Sequence, residues 1–112
     1  MDISLAFGKK IDYFEIMTPK MRAVIFKNHG GPDQLQYTYV EVPHPGPHEV
    51  LVKVRACALN HLDLWTLMGM PGVKIPLPHI LGCDIAGEVV KLGAKVHGVP
   101  LKRPVVVSPG LA

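Results

Sequence analysis

Glu49-Val50-Leu51-Val52-Lys53-Val54-Arg55-Ala56 is the stretch that decides the fold class. Val50, Val52, Val54 and Ala56 share one face and Glu49, Lys53 and Arg55 the other, the period of two that marks a half-buried strand. Working outward, residues 22–27 and 37–42 are rich in β-branched and aromatic side chains and bracket Asn28-His29-Gly30-Gly31-Pro32-Asp33. That pattern predicts two strands joined by a turn-forming loop. Pro43-His44-Pro45-Gly46-Pro47 cannot donate regular ladder hydrogen bonds, so it is expected to be an exposed connector with solvated histidines. Residues 85–90 and 105–108 give two further strand candidates. Eleven prolines and eleven glycines cut the remaining sequence into short pieces, which predicts a mainly β domain rather than long helices.

One helix is expected, over residues 60–68, about two and a half turns long. Asn60 is a good N-cap, Asp63 stands where a capping box puts its acidic partner, Leu64, Leu67 and Met68 have helical spacing, and Gly69 can close the C-terminus.

A chain of 112 residues has room for one small domain, and 48% hydrophobic against 19% charged residues suits a packed core. The net charge of +3 is scattered rather than gathered into a nucleic-acid-binding patch. Cys57 and Cys83 are too few for a disulfide framework, and reduced thiols in a cytoplasmic protein are the expectation. No run approaches a membrane span of about 20 apolar residues. Residues 1–20 show no clean period around Phe7, Tyr13 and Phe14, and Met21 would be a natural start. The expected division is therefore an extension at 1–20 and a domain at 21–112.

Four features follow one another in fixed order. They are the strand Val52-Lys53-Val54-Arg55-Ala56, the segment Ala58-Leu59-Asn60-His61-Leu62-Asp63-Leu64-Trp65, the segment Ile75-Pro76-Leu77-Pro78-His79-Ile80-Leu81-Gly82, and Cys83-Asp84-Ile85-Ala86-Gly87-Glu88-Val89-Val90. With Met21-Arg22-Ala23-Val24 ahead of them, they resemble the N-terminal, GroES-like domain of the medium-chain dehydrogenase/reductase superfamily, from residue 21 to about residue 110. The resemblance implies a partly open β-barrel, expected here to be incomplete, with one short helix. It also implies an NAD(P)H-dependent oxidoreductase of the alcohol dehydrogenase or quinone oxidoreductase type, acting on a small carbonyl, alcohol or quinone.

In the zinc enzymes of that superfamily the position of Asn60 is a cysteine ligand, and those of Cys83 and Asp84 are a histidine ligand and a glutamate. An Asn60 amide is a poor substitute for a thiolate, being uncharged and a weaker donor, so a catalytic zinc is not expected and the pattern resembles the zinc-free quinone oxidoreductase branch. By the resemblance Asn60, Asp63 and Trp65 are the candidate catalytic residues, with Asn60 beside the nicotinamide and Trp65 where that branch often has a tyrosine. The bland readings stand next to these. A helix cap with its acidic partner accounts for Asn60 and Asp63, a core contact for Trp65, a small buried hydrophobe for Cys57, and ordinary polar positions for His61 and His79.

No Gly-x-Gly-x-x-Gly fingerprint occurs in the sequence, so tight NAD(P)H binding is not expected of these residues. Relatives usually carry Gly-Asp ahead of the last strand, where this chain has Leu101-Lys102-Arg103-Pro104, without a residue suited to positive φ. The expectation is a catalytic-domain fragment inactive alone. The alternative is a non-catalytic assembly module that pairs an open barrel edge with another chain.

Overall fold

The computed structural model describes residues 2–4, 10–12 and 19–108. Its elements in chain order are β1 (Asp2–Ser4), β2 (Lys10–Asp12), β3 (Lys20–Phe26), a 3-10 turn (Pro32–Gln34), β4 (Gln36–Glu41), β5 (Val50–Ala58), α1 (His61–Met68), β6 (His79–Ile80), β7 (Asp84–Leu92) and β8 (Pro104–Val107). The strands form an antiparallel β1–β2 pair and two three-stranded antiparallel sheets, ordered β4-β3-β6 and β5-β7-β8. Among the described residues the sheets stay open and no barrel closes, which matches the expected mainly β, GroES-like architecture with one short helix. Within the lead, Phe7, Tyr13 and Phe14 lie outside the described residues, as do Pro109 and Gly110 at the other end.

β3 and β4 pair from Lys20↔Glu41 to Ile25↔Gln36, and the turn-forming run after β3 closes them into a hairpin. The buried apolar residues are Ile25 and Phe26 at the end of β3, Leu67 on α1 and Val89 on β7. Among the described residues the core thus draws on the end of β3, on α1 and on the interior of β7. β6 is only two residues long and pairs Ile25↔Ile80 and Phe26↔His79. It lies inside a proline-rich segment whose composition gives no strand signal.

β5 departs from the half-buried strand that its alternation suggests. Leu51 and Val52 are half-buried, but every residue from Lys53 to Ala58 is exposed, Val54 at 54%. Register shifts fall between Leu51 and Val52 and between Val54 and Ala56, so the simple period of two does not carry through the pairing. Among the described residues nothing covers the second half of the strand on either side.

β5 and β7 are pressed together by backbone approach. A Cβ at Gly93 would lie 2.0 Å from the carbonyl oxygen of Gly46, and the Gly93 N–H donates to Glu49 at 2.7 Å. Lys95 N–H donates to the Pro47 carbonyl at 2.8 Å, so the proline-rich connector is docked along the end of β7 rather than left free. At the entry to β8, Lys102 adopts φ 65°, a left-handed conformation that glycine would take without strain. Its N–H donates to Val89 at 2.7 Å and Arg103 accepts from the Val89 N–H at 3.1 Å, so the turn closes in spite of the side chain.

Candidate functional site

The Asn60 site is assembled by the far end of the β5–β7 ladder. Ala58 pairs with Asp84 as the last register position, so the chain leaving β5 carries Asn60 over the start of β7. The Asn60 side chain donates from Nδ2 to Asp84 Oδ2 at 2.7 Å. A carboxylate is an acceptor only, so it fixes which amide atom faces it, and the short distance is that of a charge-assisted bond.

Asn60 also starts α1 as its N-cap residue, with extended backbone at φ −135° and ψ 163°. Asp63 Oδ2 accepts from the Asn60 N–H at 2.9 Å, which is the acidic arm of the capping box. Asp63 is 5% exposed, and its own N–H donates to the Asn60 carbonyl at 3.0 Å. The helix start therefore holds Asn60 at the backbone while its side-chain amide reaches across to β7.

The far end of α1 is fastened by a residue that the sequence offered only as part of a loop. His29, with Nδ1 protonated, donates to the Thr66 and Leu67 carbonyls at 3.2 and 3.1 Å, and Gly30 N–H donates to Leu67 at 3.0 Å. These bonds satisfy carbonyls that a helix end leaves without partners. Phe26 stands between the rings of His29 and His79, with centroids 5.6 and 5.7 Å away. His79 is therefore a packing partner of the core. A histidine in a Gly-rich turn carries no local signal for such a tie, because its partners are 37 and 38 residues away.

An open hollow of about 390 Å³ lies beside Asn60. Leu35, Leu59, Leu64 and Leu81 supply its apolar wall, and Asn60, His61 and Asp63 its polar groups. Its size falls in the range of small-molecule sites. Asn60, Asp63 and Asp84 are thus brought together, and Asn60, His61 and Asp63 line the hollow. Trp65 does not: it is 52% exposed, so the core-packing reading is corrected, and its nearest ring partner is His61 at 6.4 Å between centroids. The helix buries Asp63 and Leu67 and turns Trp65 outward. Cys57 is exposed too, on the uncovered part of β5, which corrects its reading as a buried hydrophobe.

Zinc does not fit this donor set. The Asn60 amide offers its N–H, not a lone pair, to Asp84. Among the described residues no three His, Cys, Asp or Glu side chains gather as potential ligands, whereas a protein zinc site takes three or four such groups.

Open sheets with one short helix match the architecture of a GroES-like N-terminal domain. The chain belongs to the alcohol dehydrogenase GroES-like domain family, whose model matches residues 46–111. It is 43% identical over 89 residues to a trans-enoyl reductase of Aspergillus terreus, a match covering 79% of this chain and 28% of that protein. It is 39% identical over 77 residues to a quinone oxidoreductase of Lama guanicoe, covering 68% and 23%. Among solved structures, an NAD-dependent alcohol dehydrogenase superposes with a TM-score of 0.76 at 47% identity, covering 82% of this chain and 27% of that one. The chain spans about a quarter of the length of the relatives that it matches. No helix among the described residues is long and apolar enough to cross a membrane.

Proposed function

We propose that these residues form the substrate-side wall of a cytoplasmic, NAD(P)H-dependent oxidoreductase of the alcohol dehydrogenase or quinone oxidoreductase type, acting on a small carbonyl, alcohol or quinone without a catalytic zinc. The observation that carries the reading is the Asn60–Asp84 bond of 2.7 Å at the mouth of the hollow. At two positions where the zinc enzymes of the superfamily have a ligand and a glutamate, an amide and a carboxylate satisfy each other instead. Asn60 is the polar group that meets the reacting part of the substrate, Asp84 orients its amide, and Asp63 holds its backbone. Trp65, exposed on the same helix, faces outward from this wall.

Residues 1–20 are read as an extension of the domain. The cofactor supplies reducing equivalents when it is bound. Its phosphates find no glycine-rich cradle in this sequence, so these 112 residues give no turnover by themselves: most of the rate of such a reaction comes from holding cofactor and substrate in one geometry. Two assays test the reading. The purified chain should leave NADPH and NADH unoxidised in the presence of a quinone or an enal. A chimera in which residues 21–108 replace the matched segment of the Lama guanicoe quinone oxidoreductase should restore that oxidation. Turnover by the chain alone refutes the inactivity, and a folded chimera without turnover refutes the oxidoreductase role.

A second reading is favoured by the open edges. Val106, on the edge strand β8, is 81% exposed, and among the described residues nothing pairs with the outer edge of β5. A strand from another chain could complete either sheet, making the domain an assembly module. Light scattering separates the two, since a monomer at high concentration counts against assembly through these edges.

A further inference from the structure

β8 ends the β5-β7-β8 sheet with an outer edge that nothing pairs with among the described residues. Val89 turns both of its backbone groups toward the entry of that strand: its N–H donates to Arg103 at 3.1 Å and its carbonyl accepts from Lys102 at 2.7 Å. Backbone direction alternates along an antiparallel strand, so Val105 and Val107, opposite Gly87 and Ile85, also point inward to β7. Pro104, Val106 and Ser108 therefore turn their backbone groups out of the sheet. Pro104 brings no N–H to that edge, which is where a strand tolerates proline. On one face the row Ala56, Ala86, Val106 crosses the three strands and ends at Val106, which is 81% exposed.

We propose that β8 pairs antiparallel with β8 of a second copy of this chain, about a two-fold axis at Val106. The inference rests on the assembly reading and adds the edge, the partner and the register. In that register Val106 faces Val106 of the second copy and exchanges both backbone bonds with it, Val105 faces Val107, and the Ser108 N–H meets the Pro104 carbonyl. The three consecutive valines read the same in both directions about Val106, so a second copy supplies the complement that a two-fold contact needs. No charged residue lies between Pro104 and Ser108. The other free edge differs. A two-fold axis at Val54, the middle of β5, would set Lys53 against Arg55 of the second copy, and like charges directly opposite are destabilising. At β8 the axis instead brings together two exposed β-branched side chains, a favourable cross-strand pair. A contact this short belongs to the weak, concentration-dependent class.

The test is sedimentation of the purified chain over a rising concentration series. The chain should move from the monomer mass toward twice that mass, and over the same series the backbone amide resonances of Val106 and Ser108 should shift more than those of Val105 and Val107. Val106→Lys should hold the chain at the monomer mass, because like charges would then face each other across the axis. Val106→Glu should do the same, and mixing the two variants should restore the doubled mass, which also shows that both fold. A chain that stays monomeric at on the order of 1 mM would overturn this pairing and the assembly reading together. Assembly that Val106→Lys leaves intact, or a mixture of the two variants that stays monomeric, would overturn this pairing alone.

Discussion

At its Val50↔Leu92 end the β5–β7 ladder is held by backbone against backbone, whereas at its Ala58↔Asp84 end it is finished by side chains. In the first region Gly93 lets the connector carbonyls approach to distances that no Cβ tolerates, and the Glu49 and Pro47 carbonyls accept hydrogen bonds across the junction. In the second, Asn60 donates to Asp63 from its backbone and to Asp84 from its side chain beside an apolar hollow, and the strand leading there is exposed on both faces. The contrast separates what makes the domain fold from what it presents to a ligand. Close packing at one end fixes the register, and the register delivers Asn60 to Asp84 at the other.

The sharpest way to break this picture is Gly93→Val. With Gly46, Pro47 and Glu49 oxygens all inside contact distance of the new side chain, the loss should exceed about 4 kcal/mol, enough to unfold a domain this small. Circular dichroism and urea melts should show no cooperative transition, and a folded variant would mean that the junction is not what sets the register. Leu67→Ala comes next. Leu67 is 2% exposed and packs the helix into the core, so about 2–3 kcal/mol should be lost in a urea melt, with the Asn60 end loosened along with it. The smallest effect has the opposite sign. Lys102→Gly relieves a left-handed residue and should raise stability by about 0.5–1 kcal/mol, visible as a higher urea midpoint at unchanged slope.

The same contrast explains what could be read from the residues. Strands at β3, β4, β5, β7 and β8 and the helix from Asn60 were legible because their signals are local: alternation, β-branched runs, a cap with its acidic partner three residues on. The ordered motifs around Asn60 and Asp84 made the family legible as well, although the bond between the two side chains joins residues 24 apart. Ahead of β8, where relatives usually carry Gly-Asp, the sequence offers no residue suited to positive φ, and Lys102 adopts that conformation nonetheless. What stayed hidden depends on tertiary context. The burial of β5 could not follow from its pattern, because alternation does not say whether another layer is present or whether the register shifts midway. The outward turn of Trp65 failed for the same reason, since the helix buries Leu67 and Asp63 rather than its largest apolar side chain. His29 as the tie at the end of α1, and the two-residue β6, have no periodicity to betray them.

The most direct test of the division between a structural end and a chemical end is Asn60→Ser in the chimera with the quinone oxidoreductase remainder. Serine keeps a good N-cap and the backbone N–H that Asp63 receives, but is too short to hold an amide against Asp84. Turnover should fall by at least about tenfold while the urea midpoint moves by less than about 0.5 kcal/mol. Unchanged turnover, or turnover lost only in step with stability, would contradict the assignment of Asn60 to the chemistry rather than to the fold.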